Sequence, residues 1–492
     1  MEQLSQVIRN NQEWLQNLYS GHHEIRQIME EFTAHLQGVH GDIASPRIVT
    51  GHQPVIYYPG LLFKDYFVGE MAQNEGGSAW NFIVDTDVAD LEVPIPHYAH
   101  GKLQKSLISI PNPENLAFTS LQPSRPETDQ FLQTIQQHLA ALPHPQIKSA
   151  FRKFKQNLYD LLEDGFRFTD ALSYLRNKQD AEMGPPITDH KISELVGSYP
   201  YAHYIWYIIK NIDSYTRLYN DAVEQEKKQD YQPVKFLRYQ DGWYELPFWL
   251  VKDGKRLPVQ LYKDRGHLFF RTERSHSDIT FDVGNKNEHT IIESLRTSLK
   301  LYPKATTLTQ VIRLFLSDIF VHGKGAVEYE KVNNLFLQSF FSMSNLGTFL
   351  SVTGDIHLPL MEDLPDYDNL QKDYKQKQKW LKQVERNPEE YLENNLAEQY
   401  KEKKKAIARQ MANENSQEQR KLYHRRLEHL DEQMKSHLAG KIEPTRKQVH
   451  HYEEILQRKD VLYERQYPYF LYPDEWLTRE QFDKNIRINI RQ

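Results

Sequence analysis

Residues 47–90 read RIVTGHQPVIYYPGLLFKDYFVGEMAQNEGGSAWNFIVDTDVAD. The β-branched run Ile48, Val49 and Thr50 predicts a short strand, and it breaks abruptly into Gly51-His52-Gln53-Pro54. A second glycine, Gly60, opens an amphipathic helical run from Leu61 to Met71. Another apolar run, Trp80 to Val84, predicts a second strand that ends in Asp85-Thr86-Asp87-Val88-Ala89-Asp90. Strand, glycine turn, helix and strand make a βαβ unit, and open parallel sheets bind ligands at the carboxyl ends of their strands. The Gly51 turn and the aspartate cluster are therefore candidate site elements.

Working outward, residues 1–38 carry helical spacing around Gly21, and residues 94–126, rich in proline, read as loop with one apolar run from Leu107 to Ile110. Helical patterns follow at about 127–141 and 146–163 and continue to residue 230. That stretch includes Tyr199, Tyr201, Tyr204, Trp206 and Tyr207, an aromatic set suited to helix packing or to stacking on a substrate. From Val234 to Arg271, strand-like runs are separated by Asp241-Gly242, Asp253-Gly254 and Arg265-Gly266, the signature of an antiparallel meander. Residues 305–343 read as helix, interrupted by His322-Gly323-Lys324-Gly325. After Leu364, apolar residues become sparse and fall at near-heptad spacing among Lys, Glu and Gln, which predicts long antiparallel helices, with Gly440 ending one and Pro444 starting the next. The final segment, Arg465 to Trp476, is dense in Tyr and Pro and is expected to dock on the body.

The resulting fold class is α/β: a Rossmann-like parallel-sheet core with a helical connecting domain and a C-terminal antiparallel coiled-coil arm. The expected divisions are 1–126 and 231–365 for the core, 127–230 for the connecting domain, 366–465 for the arm and 466–492 for the docking segment.

A chain of 492 residues with a formal net charge of -6 offers no global field for nucleic acid or an anionic membrane. Lys401 to Lys405 alternate with Glu on a solvated helix and do not change that reading. The absence of cysteine excludes disulfides, Cys-ligated zinc, iron–sulfur clusters and a thiol nucleophile. With no apolar N-terminal leader and no run approaching the ~18 apolar residues of a membrane span, a cytoplasmic protein is expected.

Two constellations carry chemistry. At the first, Gly51 permits close backbone approach, His52 and Gln53 can hydrogen-bond a ligand, and Lys64 on the following helix could reach an anion or snorkel to solvent. Asp85, Asp87 and Asp90 could hold or deprotonate a substrate ammonium, or simply cap a turn. At the second, His322, Gly323, Lys324 and Gly325 offer an imidazole, an ammonium and two permissive backbones, with Glu328 one turn on. The alternative is a helix C-cap in which Gly323 supplies a positive φ. Neither a metal motif nor a nucleophile elbow occurs, and His22-His23 and His450-His451 splay apart on helices.

At these two motifs the chain resembles the BshC family, the cysteine-adding enzymes of bacillithiol biosynthesis. Thr50-Gly51-His52-Gln53 is similar to that family's T-G-Q-Q turn, Asp85 to Asp90 to its G-E-D-H-D strand end, and Gly323-Lys324-Gly325 to its G-P-G-E motif. Departures include His52 in place of glutamine and Ala326 in place of glutamate. The resemblance implies a ligase-like enzyme that joins cysteine to an amino-sugar conjugate, or a divergent relative acting on another small polar anion. It also implies a homodimer formed through the coiled coil and a pocket between the glycine turns, with Asp87 and His52 handling protons and a nucleotide as a possible cofactor. The competing reading is a catalytically inactive scaffold that binds a protein partner through the arm.

Overall fold

The structure is a computed structural model that describes every residue except 1, 42, 273–278, 346 and 492, together with the side chain of residue 40. The chain divides into two compact units. One comprises Met1–Tyr98, Lys105–Ile356 and Arg465–Gln492, and the other Ala99–Gln104 and His357–Glu464.

The first unit is built on a mixed α/β plan around a six-stranded, mostly parallel sheet. Counted in chain order, its strands are Arg47–His52, Ser78–Ile83, Thr188–Lys191, Ile319–His322, Phe349–Gly354 and Ile486–Arg491, and across the sheet they lie in the order 3-2-1-4-5-6. All neighbours are parallel except the last pair, in which Phe349 faces Arg491 and Gly354 faces Ile486. The direction of winding thus reverses between Arg47–His52 and Ile319–His322, and both of these strands point their carboxyl ends the same way.

The central strands are buried on both faces. Ile48, Ile319 and Val321 join one apolar cluster with Leu350 and Val352, whereas Val49 and Phe320 join another with Trp80 and Phe82. This two-residue alternation between buried clusters explains why the runs are continuously apolar. The helix Pro59–Glu75 buries thirteen of its seventeen residues, so the amphipathic pattern expected for Leu61–Met71 is replaced by burial all round. One cause is Phe482, which stacks on Phe63 at 4.1 Å.

Several local expectations need correction. Residues 94–126 are not a loop throughout, because Leu91–Ala99 and Lys102–Ile110 form a two-stranded ribbon. Its turn uses His100 and Gly101, both with positive φ, and proline is tolerated at its open edges. The 164–230 region is not helical throughout, since Thr188–Lys191 supplies an edge strand of the main sheet. The helical run after residue 305 ends in a π turn at Ile312–Leu316, and Ile319–His322 is a central strand. Pro444 and Gly440 both lie inside the helix Ala439–Gln457.

A second, antiparallel sheet holds Trp243–Lys252, Lys255–Asp264 and His267–Thr272, and each of the three Xaa-Gly turns places two successive residues at positive φ. In the aromatic set, Tyr201 and Tyr204 are core residues. Tyr467 and Leu471 in the C-terminal segment are fully buried, and Phe470 stacks on Phe154 at 4.3 Å.

The second unit contains four long helices. Tyr367–Arg386 packs with Ala439–Gln457, and Asn394–Ala412 packs with Gln417–His437. Asp366 and Ser416 cap two of them by accepting from the backbone N–H groups of Asn369 and Gln419. Among the described residues, no helix is long and apolar enough to cross a membrane.

Candidate active site

Where the winding of the sheet reverses, the carboxyl ends of Arg47–His52 and Ile319–His322 open into a cleft of about 760 Å³. Crevices at such reversal points are the usual ligand sites of open α/β sheets, and the volume suits a small molecule. Both glycine turns line it. Of the residues singled out in the sequence, Gly51, His52, Gln53, Lys64, Asp87, His322, Gly323, Lys324 and Gly325 meet here.

Three other candidates do not. Asp85 is buried, and its carboxylate accepts from the Ser193 N–H at 2.9 Å and the Ser193 hydroxyl at 2.5 Å, tying down the start of the short helix Ile192–Val196. Asp90 is exposed outside the cleft. Glu328 pairs with Lys228 at 3.1 Å and Lys331 at 2.8 Å, away from the lining.

The glycines differ in why they are glycine. A Cβ on Gly51 would lie 2.9 Å from the carbonyl oxygen of Phe82, so the neighbouring strand excludes a side chain there. Gly323 has φ -77°, not the positive angle of a C-cap, and a Cβ on Gly323 or Gly325 would meet nothing within 4 Å. Protein packing therefore does not require glycine at either position, and both residues line the cleft. Lys324–Ala326 form a 3-10 turn that leads into the helix Val327–Phe340, so this loop presents the amino-terminal end of that helix.

Side chains around the turns are held firmly. The Lys64 ammonium donates to the Gly51 carbonyl at 2.8 Å. Asp87 accepts from Gln53 Nε2 at 3.0 Å and from the Val88 N–H at 2.7 Å, and it pairs with the Arg256 guanidinium at 2.6 Å. Arg256 and Lys304 both lie against the ring of Trp249, and Lys304 is paired with Glu245 at 2.5 Å. Arg465 donates to Thr353 at 2.8 Å and pairs with Asp355 at 3.1 Å. His322 sits edge-on to Phe320 and Phe349, with Nε2 3.7 Å from Glu330, which is itself bound to the buried Arg313 at 2.7 Å.

The electrostatics follow from burial. His52 is pushed down to about 3 by burial and then by the Lys64 charge, and His322 to about 4 mainly by burial, so both rings are neutral at pH 7. Burial also lowers Lys64 to about 8. Among the described lining residues, Lys64, Arg256, Lys304, Lys324 and Arg465 are cationic and Asp87 is the one carboxylate. Arg256, Lys304 and Arg465 are paired with Asp87, Glu245 and Asp355, so among the described lining residues the positive charge without a carboxylate partner is that of Lys64 and Lys324. This is a local excess that favours small anions on a chain whose net charge is negative.

Trp249, Arg256, Lys304 and Arg465 were not singled out in the sequence. They come from the antiparallel sheet, from the residue after Leu301–Pro303 and from the C-terminal segment, and no local motif links them to either turn. Among the described residues one group could hold a metal, Glu24 with His203 and Glu288, but Lys210 already places its ammonium 2.5 Å from Glu24 and 2.6 Å from Glu288. Set against known proteins, the chain matches no family model and no curated sequence.

Proposed function

We propose that this chain is a ligase-like enzyme of the BshC-like type, with a Rossmann-like core that holds a small polyanionic substrate between its two glycine turns. The reaction class is amide formation, in which an amine attacks a carboxyl carbon activated as an acyl phosphate and phosphate leaves, as in the joining of cysteine to an amino-sugar conjugate. The observation that carries this reading is the Gly323–Gly325 loop, where backbone N–H groups, unneeded glycines and the exposed Lys324 border a cationic cleft at the sheet's reversal point. The carboxylates of a malyl group on the amino sugar, the conjugate that the BshC resemblance implies, or the phosphates of a nucleotide suit such a loop equally well. The strand order 3-2-1-4-5-6 supports the Rossmann-like assignment. We further propose that the helices of the second unit act as a coiled-coil arm through which two copies associate.

The geometry revises the roles of individual residues. Asp87 clamps Arg256 and Gln53 in place, and as the lining carboxylate it serves to hold a substrate ammonium. His52, held neutral, serves as a hydrogen-bonding group and is too weak a base to be the main proton acceptor.

Calorimetry and thermal shift with cysteine, malate, a glucosamine–malate conjugate and ATP test this reading, with mass spectrometry for an amide product. A dianionic ligand should bind and stabilise the protein. Gly323→Val should leave the fold unchanged, because nothing occupies the space its side chain enters, yet weaken binding about tenfold or more by filling the anion's place. Wild-type and Gly323→Val proteins with the same lack of response to every ligand would overturn the reading and favour a scaffold role.

A further inference from the structure

We infer that Lys64 is the group that accepts the proton from the attacking amine, an inference that rests on the amide-forming reading and names its base. Lys64 lies on the helix Pro59–Glu75, and only 1% of it is exposed, at the floor of the cleft. A long cationic side chain buried this deeply normally meets a carboxylate. Among the described residues Lys64 has no carboxylate within ion-pair distance, and the hydrogen bond it makes is to the Gly51 carbonyl. Its neighbour Asp65 is turned away to Arg176, at 2.9 Å. One acceptor for three N–H bonds leaves two of them without a protein partner among the described residues, so on losing one proton the amine stays bonded to Gly51 and keeps a lone pair for the cleft it lines.

Lowered to about 8, Lys64 is mostly an ammonium at pH 7, but its neutral amine lies within reach of neutral pH. Burial is the main influence, and the positive charge of Arg176 acts in the same direction, against the opposing carboxylates of Asp65 and Asp180. His52 and His322, on the two flanking strands, both feel the Lys64 charge and are uncharged at neutral pH, and the other ionisable side chains lining the cleft are Tyr58, Asp87, Arg256, Lys304, Lys324, Tyr329 and Arg465. Other bases are poorly placed, since Asp87 already accepts from three donors and the imidazoles are too weakly basic. The step itself is a proton transfer: the substrate ammonium loses one N–H proton to the neutral Lys64 amine, which becomes an ammonium still anchored on Gly51. The substrate nitrogen keeps the electron pair with which it attacks the carbon of an acyl phosphate, the class of activated carboxyl the step requires. The C–O bond to phosphate then breaks, phosphate leaves with that electron pair, and the second N–H proton departs with it.

Trace acetylation of the intact protein with acetic anhydride across pH 6–11, read at Lys64 by mass spectrometry beside a free-lysine peptide standard in the same mixture, tests the first half of this inference. Lys64 should reach half its maximal reactivity near pH 8, below the midpoint of the standard. A Lys64 midpoint equal to that of the standard, or no labelling of Lys64 at any pH, would overturn the assignment. The second half is tested by Lys64→Met and Lys64→Arg, which should retain ligand binding and lose amide formation about 100-fold or more. Lys64→Arg with wild-type turnover and an unchanged pH profile would refute it. If no amide forms with any substrate, the enzymatic reading fails, while the labelling curve still reports separately on Lys64.

Discussion

Asp87 and His52 looked like the proton carriers because a carboxylate and an imidazole near neutral pH are the usual choices, and their neighbours alter both. The ion pair of Asp87 with Arg256 and the burial of His52 are consequences of residues far away in sequence. His203, a ring only 1% exposed, shows the opposite outcome. Burial works against its charge, but the carboxylates of Glu31, 2.7 Å from Nδ1, and Glu24, 3.6 Å from Nε2, outweigh that and push it up to about 9. Because the folded value lies above the ordinary 6.5, the stabilisation is complete below about pH 6.5 and is lost as pH rises through about 9. His203→Gln should therefore be clearly less stable than wild type at pH 6, with the gap closing by pH 10. Denaturant titrations at the two pH values measure this, and a gap that is constant or widens with pH would contradict it.

At the level of elements, glycines inside helices separate packing from propensity. A Cβ on Gly38, in the helix His23–His40, would meet nothing within 4 Å, so Gly38→Ala should stabilise by roughly 0.5–1 kcal/mol through helix propensity alone. On Gly69, in Pro59–Glu75, a Cβ would stand 2.4 Å from the Pro185 carbonyl oxygen, so Gly69→Ala should instead cost about 1–3 kcal/mol. Urea unfolding of the pair checks the opposite signs. The unit from Arg47 to Val84 was legible in the sequence because its strand runs, glycine breaks and helix are all local signals. The meander was equally readable, since Asp241-Gly242, Asp253-Gly254 and Arg265-Gly266 specify their turns by residue type. Ile319–His322 was hidden because a four-residue strand buried on both faces has the same apolar character as the helix before it. Thr188–Lys191 was hidden for the reverse reason, as its polar residues at the sheet edge carry no strand pattern. The glycine turns of the site could be found from their motifs, whereas Arg256, Lys304 and Arg465 arrive only through tertiary folding.

Across the whole molecule, stability is unevenly shared. In the first unit, layers on both faces of the parallel sheet bury continuous apolar clusters, and Pro59–Glu75 alone hides thirteen residues. In the second, Tyr367–Arg386 buries Leu370 and Val384, Asn394–Ala412 buries Ala397 and Tyr400, and Gln417–His437 buries Leu430 and Met434. Two small clusters, around Val384 with Leu438 and around Tyr400 with Met434, hold these helices in register. Backbone hydrogen bonds that face water on most sides open locally at low free-energy cost, whereas those in a continuous core open only with global unfolding. Hydrogen exchange followed by mass spectrometry should therefore show residues 367–457 exchanging at least tenfold faster than the strands Arg47–His52 and Ile319–His322. A polyanionic ligand in the cleft should slow exchange at the Gly51 and Gly323 turns and leave the centre of the long helices unchanged. Protection of those helices equal to that of the sheet would show that they are stabilised by more than the contacts within one chain, as association of two copies through the arm requires, and the same measurement repeated on dilution would then reveal it as a concentration-dependent loss of protection.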